Sequence, residues 1–485
     1  MAMKLAYSRE SSCDGQNKRN PQPTILLTVF QTTEIFLGIS SLASVLKQRG
    51  YSVDVAPLEY AALSRRLSRE ARPVLLGISL PSLYAHRTIA LLKKLKRRHQ
   101  FISVLGGPHP TAVPEVIKEE GVDVVCRGEG EFALLELAEA MQTGASIENI
   151  ANLWIKTPRG EIRRNPVRPP IDDLDSLPFS DREMWQRTPF FDAREMPVIA
   201  SRGCMFACPY CQQSYYNNEL YKGHAMRVRR RSVDNVLREM EEYRRRYRLR
   251  QVSFVDSIFI SSAQWTKEFC GEYQRRVGLP FACNVRPELV TEEIVGSLAR
   301  AGCRWVSMGI ETADEKVRAK MLGRHMDTRR IIEAARRIKS AGIKLRASNI
   351  IGIDGDDLRI DWQTVQLNQR CAVDFAVAFP LLVFPGTDLA RANGNGNNTQ
   401  GSYRMFDSLK VRNMWPLFGI AVEWPALEPL LRVAVCLPLT FLYGFLLLMY
   451  HVYCKNFRLW RITPGDVAGK CVRFMRRFTE TRGFR

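Results

Sequence analysis

The chain has 485 residues, 46% of them hydrophobic and 25% charged, an ordinary globular composition with length for two or three domains that each bury a core. Its formal net charge is +21, gathered in short clusters such as Arg227 to Arg231 and Arg244 to Arg246; solvated helix faces or an anionic surface would account for these, and no nucleic-acid-binding module accompanies them. Twelve cysteines with no secretory leader argue against a disulfide framework and for a reducing, cytoplasmic setting.

Residues 1–24 read as a disordered tail. From Thr24 apolar runs alternate with amphipathic ones. Strands are predicted at 24–30, 52–56, 73–79, 102–106 and 122–126, and helices at 38–49, 85–98 and 132–141. The alternation predicts an α/β domain over 25–150 with a doubly wound, Rossmann- or flavodoxin-like parallel sheet. Such sheets bind ligands beyond the carboxyl ends of their strands. There the chain places Ser79 and Ser82, then Gly106-Gly107-Pro-His109-Pro, then Arg-Gly128-Glu129-Gly130-Glu. Ordinary turn chemistry is the plainer reading of any one loop, but the three together are less easily dismissed, and the glycines on the second and third let backbone amides approach a ligand. The domain resembles the cobalamin-binding domain found in front of many radical S-adenosylmethionine (SAM) domains, in its Gly-Gly-Pro-His and Arg-Gly-Glu-Gly-Glu runs. The resemblance implies bound cobalamin. The Asp-x-His-x-x-Gly run of relatives that ligate cobalt through histidine is missing, so no cobalt ligand is assigned and His109 is expected only to line the site.

Residues 151–195 read as a linker, on the acidic, proline-bearing run Asp172-Asp-Leu-Asp-Ser-Leu-Pro-Phe-Ser180. Next comes Pro197-Val-Ile-Ala200, a short buried strand, and then Ser-Arg-Gly-Cys204-Met-Phe-Ala-Cys208-Pro-Tyr210-Cys211. Three thiolates on one tight loop can hold three irons of a four-iron cluster and leave the fourth iron open. A structural zinc site would want a fourth ligand, commonly in a second short pair, which the chain lacks; three buried metal-free thiols are the plainest alternative. The spacing after a strand resembles the signature of the radical SAM enzymes. In that family the open iron of a [4Fe-4S] cluster binds SAM, one electron cleaves it to a 5′-deoxyadenosyl radical, and the aromatic residue before the third cysteine, here Tyr210, lies near the adenine.

Strands are predicted again at 251–255, 281–285, 304–308, 344–351 and 375–379, with helices at 232–247, 291–301 and 328–341. With the strand before Cys204 this makes a partial (β/α)6 barrel of the TIM type over 196–392, whose chemistry belongs at the strands' carboxyl ends. Asp256 reads there as a turn cap or a site residue, and Arg286 as an anion holder or a surface side chain. Gly309-Ile-Glu311 resembles the family position where a carboxylate binds the SAM ribose; a carboxylate is a natural acceptor for a diol. Ser348 and Asn349 are expected at the same end of the next strand. The run Gly352-Ile-Asp-Gly-Asp-Asp357 is a loose match to the family's Gly-x-Pro-Gly-Glu.

A polar linker, 393–401, leads into a helical, apolar C-terminal region, 393–485. Residues 433–454 contain no charged side chain, long enough to cross a bilayer. Residues 455–485 hold nine Lys or Arg and two acids, which places a single span against the positive-inside tendency. A re-entrant hairpin, a helix lying in the interface, or a core helix capping the barrel remain. The reading is a cobalamin-dependent radical SAM methyltransferase that adds methyl to an unactivated carbon of a small-molecule or lipid substrate. An electron donor such as flavodoxin or ferredoxin is implied, with peripheral membrane contact through 433–485 at the cytoplasmic face. A radical oxidative cyclase and a membrane-attached iron–sulfur carrier or sensor are the alternatives.

Overall fold

The computed structural model describes residues 21–29, 35–186, 193–224, 228–392 and 408–452. The expected disordered tail up to residue 20, the polar linker at 393–401 and the basic tail from 455 lie outside the described residues. The chain divides into two compact units. One comprises 1–191, 211–227 and 384–402, and the other 192–210, 228–383 and 403–485.

The first unit is built on a seven-stranded sheet. Its strands are β1 (Thr24–Val29), β2 (Val53–Pro57), β3 (Val74–Ser79), β4 (Ile102–Gly106), β5 (Val124–Cys126), β6 (Leu153–Lys156) and β7 (Ile162–Arg164), in the order β2-β1-β3-β4-β5-β6-β7. The first five are parallel, in the flavodoxin-like order. Their side chains alternate between two cores because successive residues point to opposite faces. Leu27, Leu75 and Val104 face the helices Leu37–Gln48 and Glu131–Thr143, while Leu26, Leu76 and Leu105 face Tyr60–Leu67 and Ala85–Lys96. Burial on both faces explains the unbroken apolar runs, and each fully buried leucine contributes about 1.5–3 kcal/mol.

The sheet does not end at residue 150. β6 and β7 add an antiparallel hairpin to β5, inside the stretch expected to be linker. That stretch also carries Trp185, 1% exposed in the same core, where its indole N–H donates to Ser40 Oγ at 2.8 Å. Three- and four-residue strands among charged and proline residues show too little periodicity to be read as strands.

The second unit holds a six-stranded, wholly parallel sheet of β8 (Glu195–Val198), β11 (Gln251–Phe254), β12 (Phe281–Val285), β13 (Cys303–Glu311), β14 (Lys344–Ile351) and β15 (Phe375–Pro380), in that order. This is the expected partial barrel. A separate antiparallel pair, β9 (Ser201–Gly203) with β10 (Val228–Arg230), frames the cysteine loop.

The apolar C-terminal stretch covers the open β15 edge. Helices Leu409–Glu423, Glu428–Ala434 and Thr440–Val452 follow one another. The Ala376 N–H of β15, unpaired by any further strand, donates to Tyr450 Oη at 3.1 Å, and Asn413 Nδ2 donates to Val435 O and Leu437 O across the turn near Pro438. A parallel sheet left open at one side needs such a cover. No helix among the described residues is long and apolar enough to cross a membrane. The thirteen residues of Thr440–Val452 reach about 20 Å, short of the ~30 Å hydrocarbon core. Residues 433–452 therefore run from the end of Glu428–Ala434 through a break around Pro438 into Thr440–Val452, and are not one continuous helix.

Candidate active site

In the second unit the cysteine loop leaves β8 and turns at β9. Asp256, just past β11, fixes that turn. Its buried carboxylate accepts from the Ala200 N–H at 3.1 Å and from the Ser201 hydroxyl. Burial raises its pKa, and the hydrogen bonds from Ser201 and Ala200 oppose the rise. Asp256 is thus a brace under the loop, more than the turn cap that sequence allows. Neither Cys204 nor Cys208 is in a disulfide, Cys208 being buried and Cys204 partly exposed; burial pushes the Cys204 thiol up. Cys211, likewise outside any disulfide, is counted with the first unit.

Arg286, past the end of β12, is 9% exposed and no surface side chain. Its Nη1 donates to Cys208 Sγ at 3.1 Å, its Nε to Glu288 Oε2 at 3.2 Å, and its guanidinium carbon lies 3.6 Å from the centre of the Phe206 ring. Burial disfavours its charge, but Glu288 and Cys208 more than offset this and raise its pKa. Glu288 is correspondingly lowered, Arg286 outweighing the upward push of burial.

Glu311 ends β13 with φ +64°, a left-handed conformation rare for a non-glycine residue. The strand register slips there, so that Gly309 pairs with Ser348 and Glu311 with Asn349. Tyr210 Oη donates to Glu311 Oε1 at 3.3 Å and Arg324 Nη1 to the same oxygen at 2.9 Å. A Cβ on Gly309 would stand 2.4 Å from that oxygen and 3.0 Å from Arg324 Nη1, so glycine is required for the carboxylate to fold back. Burial raises the Glu311 pKa while Arg324 and Tyr210 hold it down. Four predicted residues, Tyr210, Gly309, Glu311 and Ser348, are therefore brought together. Asn349 is not free to join them: its Nδ2 donates to Val377 O and Asn368 Oδ1, and its Oδ1 accepts from Asn368 at 2.8 Å. Strand alternation turns its side chain to the opposite face from that of Ser348.

Sequence reading missed Arg324. It is 2% exposed, and its Nε and Nη2 are buried without a hydrogen-bond partner. Nearby, Gly323, φ +60°, packs so closely on the cysteine loop that a Cβ would sit 2.5 Å from Pro209 Cδ. The only sequence signal was a Gly-Arg pair thirteen residues after Glu311.

In the first unit the three loops, two of them glycine-bearing, meet at the carboxyl edge of β3, β4 and β5. Leu80 N donates to Gly106 O at 2.8 Å, His109 N to Leu80 O at 3.0 Å, and Gly128 N to Thr111 Oγ1 at 3.1 Å. Gly107 has φ +89°, and a Cβ there would press on Ser79 Oγ and Leu80 N at 3.1 Å. Glu129 is anchored, its carboxylate accepting from Ile171 N and its own N–H donating to Tyr221 Oη. Gly130 starts the helix Glu131–Thr143. His109 is 2% exposed with Nδ1 3.1 Å from Ser82 Oγ; burial lowers its pKa to about 4.

Matches to known families agree with this geometry. Residues 198–367 match the radical SAM superfamily and residues 23–138 the B12 binding domain. The chain is a radical SAM protein with a B12-binding domain in front. It is 26% identical to an uncharacterized methyltransferase of Pyrococcus horikoshii over 76% of this chain and 80% of that protein. It is 25% identical to the anaerobic magnesium-protoporphyrin IX monomethyl ester cyclase of Rubrivivax gelatinosus over 74% of this chain and 66% of that one. It is also 25% identical to the hopanoid C-3 methylase of Methylococcus capsulatus, over 80% and 74%. The fold is that of TsrM, a radical SAM methyltransferase of Kitasatospora setae solved with cobalamin and a [4Fe-4S] cluster, at a TM-score of 0.60 and 18% identity over 76% and 74% of the two chains. OxsB, solved with aqua-cobalamin and SAM, aligns at a TM-score of 0.64 and 14% identity over 95% and 80%.

The residues of this radical SAM enzyme fit the groups these domains are named for. Among the described residues no three His, Cys, Asp or Glu side chains converge on a single metal ion; a cubane needs no such convergence, because each thiolate binds a different iron. The two orphaned nitrogens of Arg324 beside Glu311 are buried donors lacking an acceptor, as a site for a polar, carboxylate-bearing ligand would leave them. The strand-end glycines of the B12-binding domain offer backbone, not imidazole, since His109 is buried against Ser82.

His109 carries a pH signature. Its folded pKa, about 4, lies below the unfolded value near 6.5, so its contribution is complete above pH 6.5 and is lost as pH falls toward 4. Unfolding free energy should drop by about 2 kcal/mol from this group between pH 7.5 and 5. In His109→Gln that part of the slope should vanish; an unchanged slope in denaturant titrations would contradict a buried neutral imidazole.

Proposed function

We propose that the chain is a cobalamin-dependent radical SAM methyltransferase acting on an unactivated carbon of a hydrophobic small molecule or lipid. The observation that carries this reading is the pairing of a three-cysteine loop at the end of the first barrel strand with a glycine-lined strand edge in the domain before it. When bound, the cluster supplies the electron that cleaves SAM and cobalamin supplies a methyl carrier.

The chain's own residues have separable roles in this reading. Cys204, Cys208 and Cys211 would hold the cluster. Tyr210 and Glu311 would orient SAM, the carboxylate accepting from its ribose hydroxyls. Gly309 keeps the space for that carboxylate, Arg324 donates to it and opposes the upward push of burial on its pKa, and Ser348 lies beside them in register. Ser79, Ser82, Gly106, Gly107, His109, Gly128, Glu129 and Gly130 would line the cobalamin site, with no histidine on cobalt. A one-electron donor such as flavodoxin or ferredoxin completes the reaction. Cys208→Ala should lower SAM-derived 5′-deoxyadenosine formation at least a hundredfold under dithionite, while cobalamin still binds in equilibrium dialysis. Undiminished 5′-deoxyadenosine would contradict the cluster assignment, and a wild-type protein that takes up no cobalamin would contradict the methyltransferase reading.

The hydrophobic substrate has its own support. The C-terminal helices expose Leu427, Leu430 and Val433 three residues apart, and Leu442, Phe445 and Met449 three and four apart, each 40–66% exposed. Each of these two segments thus carries apolar side chains outward at helical spacing. With nine basic residues among the 31 that follow, the chemistry suits an anionic bilayer surface, where an apolar face inserts and flanking cations bind headgroups. Co-sedimentation with vesicles of anionic phospholipid should exceed that with neutral vesicles, and Leu442→Glu with Phe445→Glu should weaken it at least tenfold. Equal, negligible sedimentation of wild type with both vesicles would remove this support.

A further inference from the structure

We infer that Arg286 and Glu288 form a charge pair that sets the reduction potential of the iron–sulfur cluster through the sulfur of Cys208. The inference rests on the cluster assignment proposed above and assigns a function that the motif itself does not carry.

Four observations converge. Arg286 is almost fully buried, at the point where β12 ends and the turn Pro287–Leu289 begins. Its Nη1 donates to Cys208 Sγ at 3.1 Å, a charge-assisted contact to a group that becomes a thiolate when it binds iron. The guanidinium is clamped from a second side by the Phe206 ring, whose centre is 3.6 Å away, so it is fixed against the loop between Cys204 and Cys208. From a third side it makes a forked pair with Glu288, itself only 15% exposed in its side chain. The Glu288 carbonyl also accepts from Arg330 Nη2 at 3.0 Å.

Hydrogen bonds to cluster sulfurs and nearby charge are two of the factors that set a cluster's potential. A buried cation donating to the ligand sulfur stabilises the more negative, reduced cluster and raises its potential. A carboxylate next to that cation opposes it. The two residues thus pull in opposite directions, and a carboxylate two residues from the arginine tempers an effect that would otherwise be full strength. SAM cleavage needs a strongly reducing electron, so a tempered cation keeps the cluster reducible by the donor without making it too weak a reductant. Arg286 and Glu288 are positioning residues in this role, acting through Cys208.

Potentiometric titration followed by electron paramagnetic resonance, on the reconstituted full chain without SAM, tests this. Arg286→Gln should make the reduction equilibrium at least tenfold less favourable, which for a one-electron couple is 59 mV toward negative potential. Arg286→Lys should shift it less, and Glu288→Gln should shift it the other way. Opposite signs are the discriminating result, since mere loosening of the loop would move both variants alike. Shifts of the same sign, or none, overturn the inference even if Arg286→Gln fails to assemble a cluster, because Glu288→Gln and Arg286→Lys then decide it. Iron and sulfide content separates the two failures. A wild-type protein that builds no four-iron cluster sinks the cluster assignment itself, whereas intact clusters of equal potential sink only the role of Arg286 and Glu288.

Discussion

A parallel strand buried on both faces has only its ends free for polar chemistry, and both units of this protein obey that constraint. In the first, the loops after β4 and β5 carry glycines whose missing Cβ permits close contact, Gly107 against Ser79 at the end of β3 and Gly128 against Tyr221. In the second, β8 ends at the cysteine loop, β11 at Asp256, β12 at Arg286 and β13 at Glu311. Each sheet is a rigid apolar support, and each reactive or binding group hangs from its carboxyl edge. The division of the chain reflects this too. Residues 192–210 are counted with the barrel strands and Cys211–Arg227 with the first unit, where Tyr215 Oη donates to Thr111 O at 3.1 Å and Tyr221 Oη accepts from Glu129 N.

Charge at those edges is held by burial and close pairing. Asp256 takes its hydrogen bonds from the chain it braces, and at Glu311 burial raises the carboxyl pKa while the Arg324 guanidinium opposes the rise. A buried pair of this kind is expensive to break, about 3–5 kcal/mol when one partner is removed, so it fixes geometry more than it adds net stability. The left-handed Glu311 and the register slip beside it show the same preference for geometry over local comfort.

Most of the architecture was legible because its signals are periodic. Apolar runs gave the five parallel strands of the first sheet and all six of the second, and the cysteine spacing placed the loop after β8. What escaped was nonperiodic or tertiary. β6 and β7 are too short to show alternation. Arg324 reaches Glu311 only because a turn returns thirteen residues later. Asn349 looked like a site residue because it neighbours Ser348, yet adjacent strand residues face opposite ways, and its amide is spent on Asn368 and Val377. The uncharged stretch 433–454 matched the length of a membrane span, but Pro438 and the open β15 edge turned its described part into a two-helix cover.

The central claim is that one chain joins radical generation to methyl transfer. Its most direct measurement is anaerobic turnover of the cobalamin-loaded, cluster-reconstituted protein with SAM bearing a deuterated methyl group, an extract of hydrophobic metabolites and a low-potential reductant, with mass analysis of all products. The account predicts 5′-deoxyadenosine and S-adenosylhomocysteine in comparable amounts, together with a product heavier by one deuterated methyl group. Formation of 5′-deoxyadenosine with no S-adenosylhomocysteine and no labelled product would contradict it.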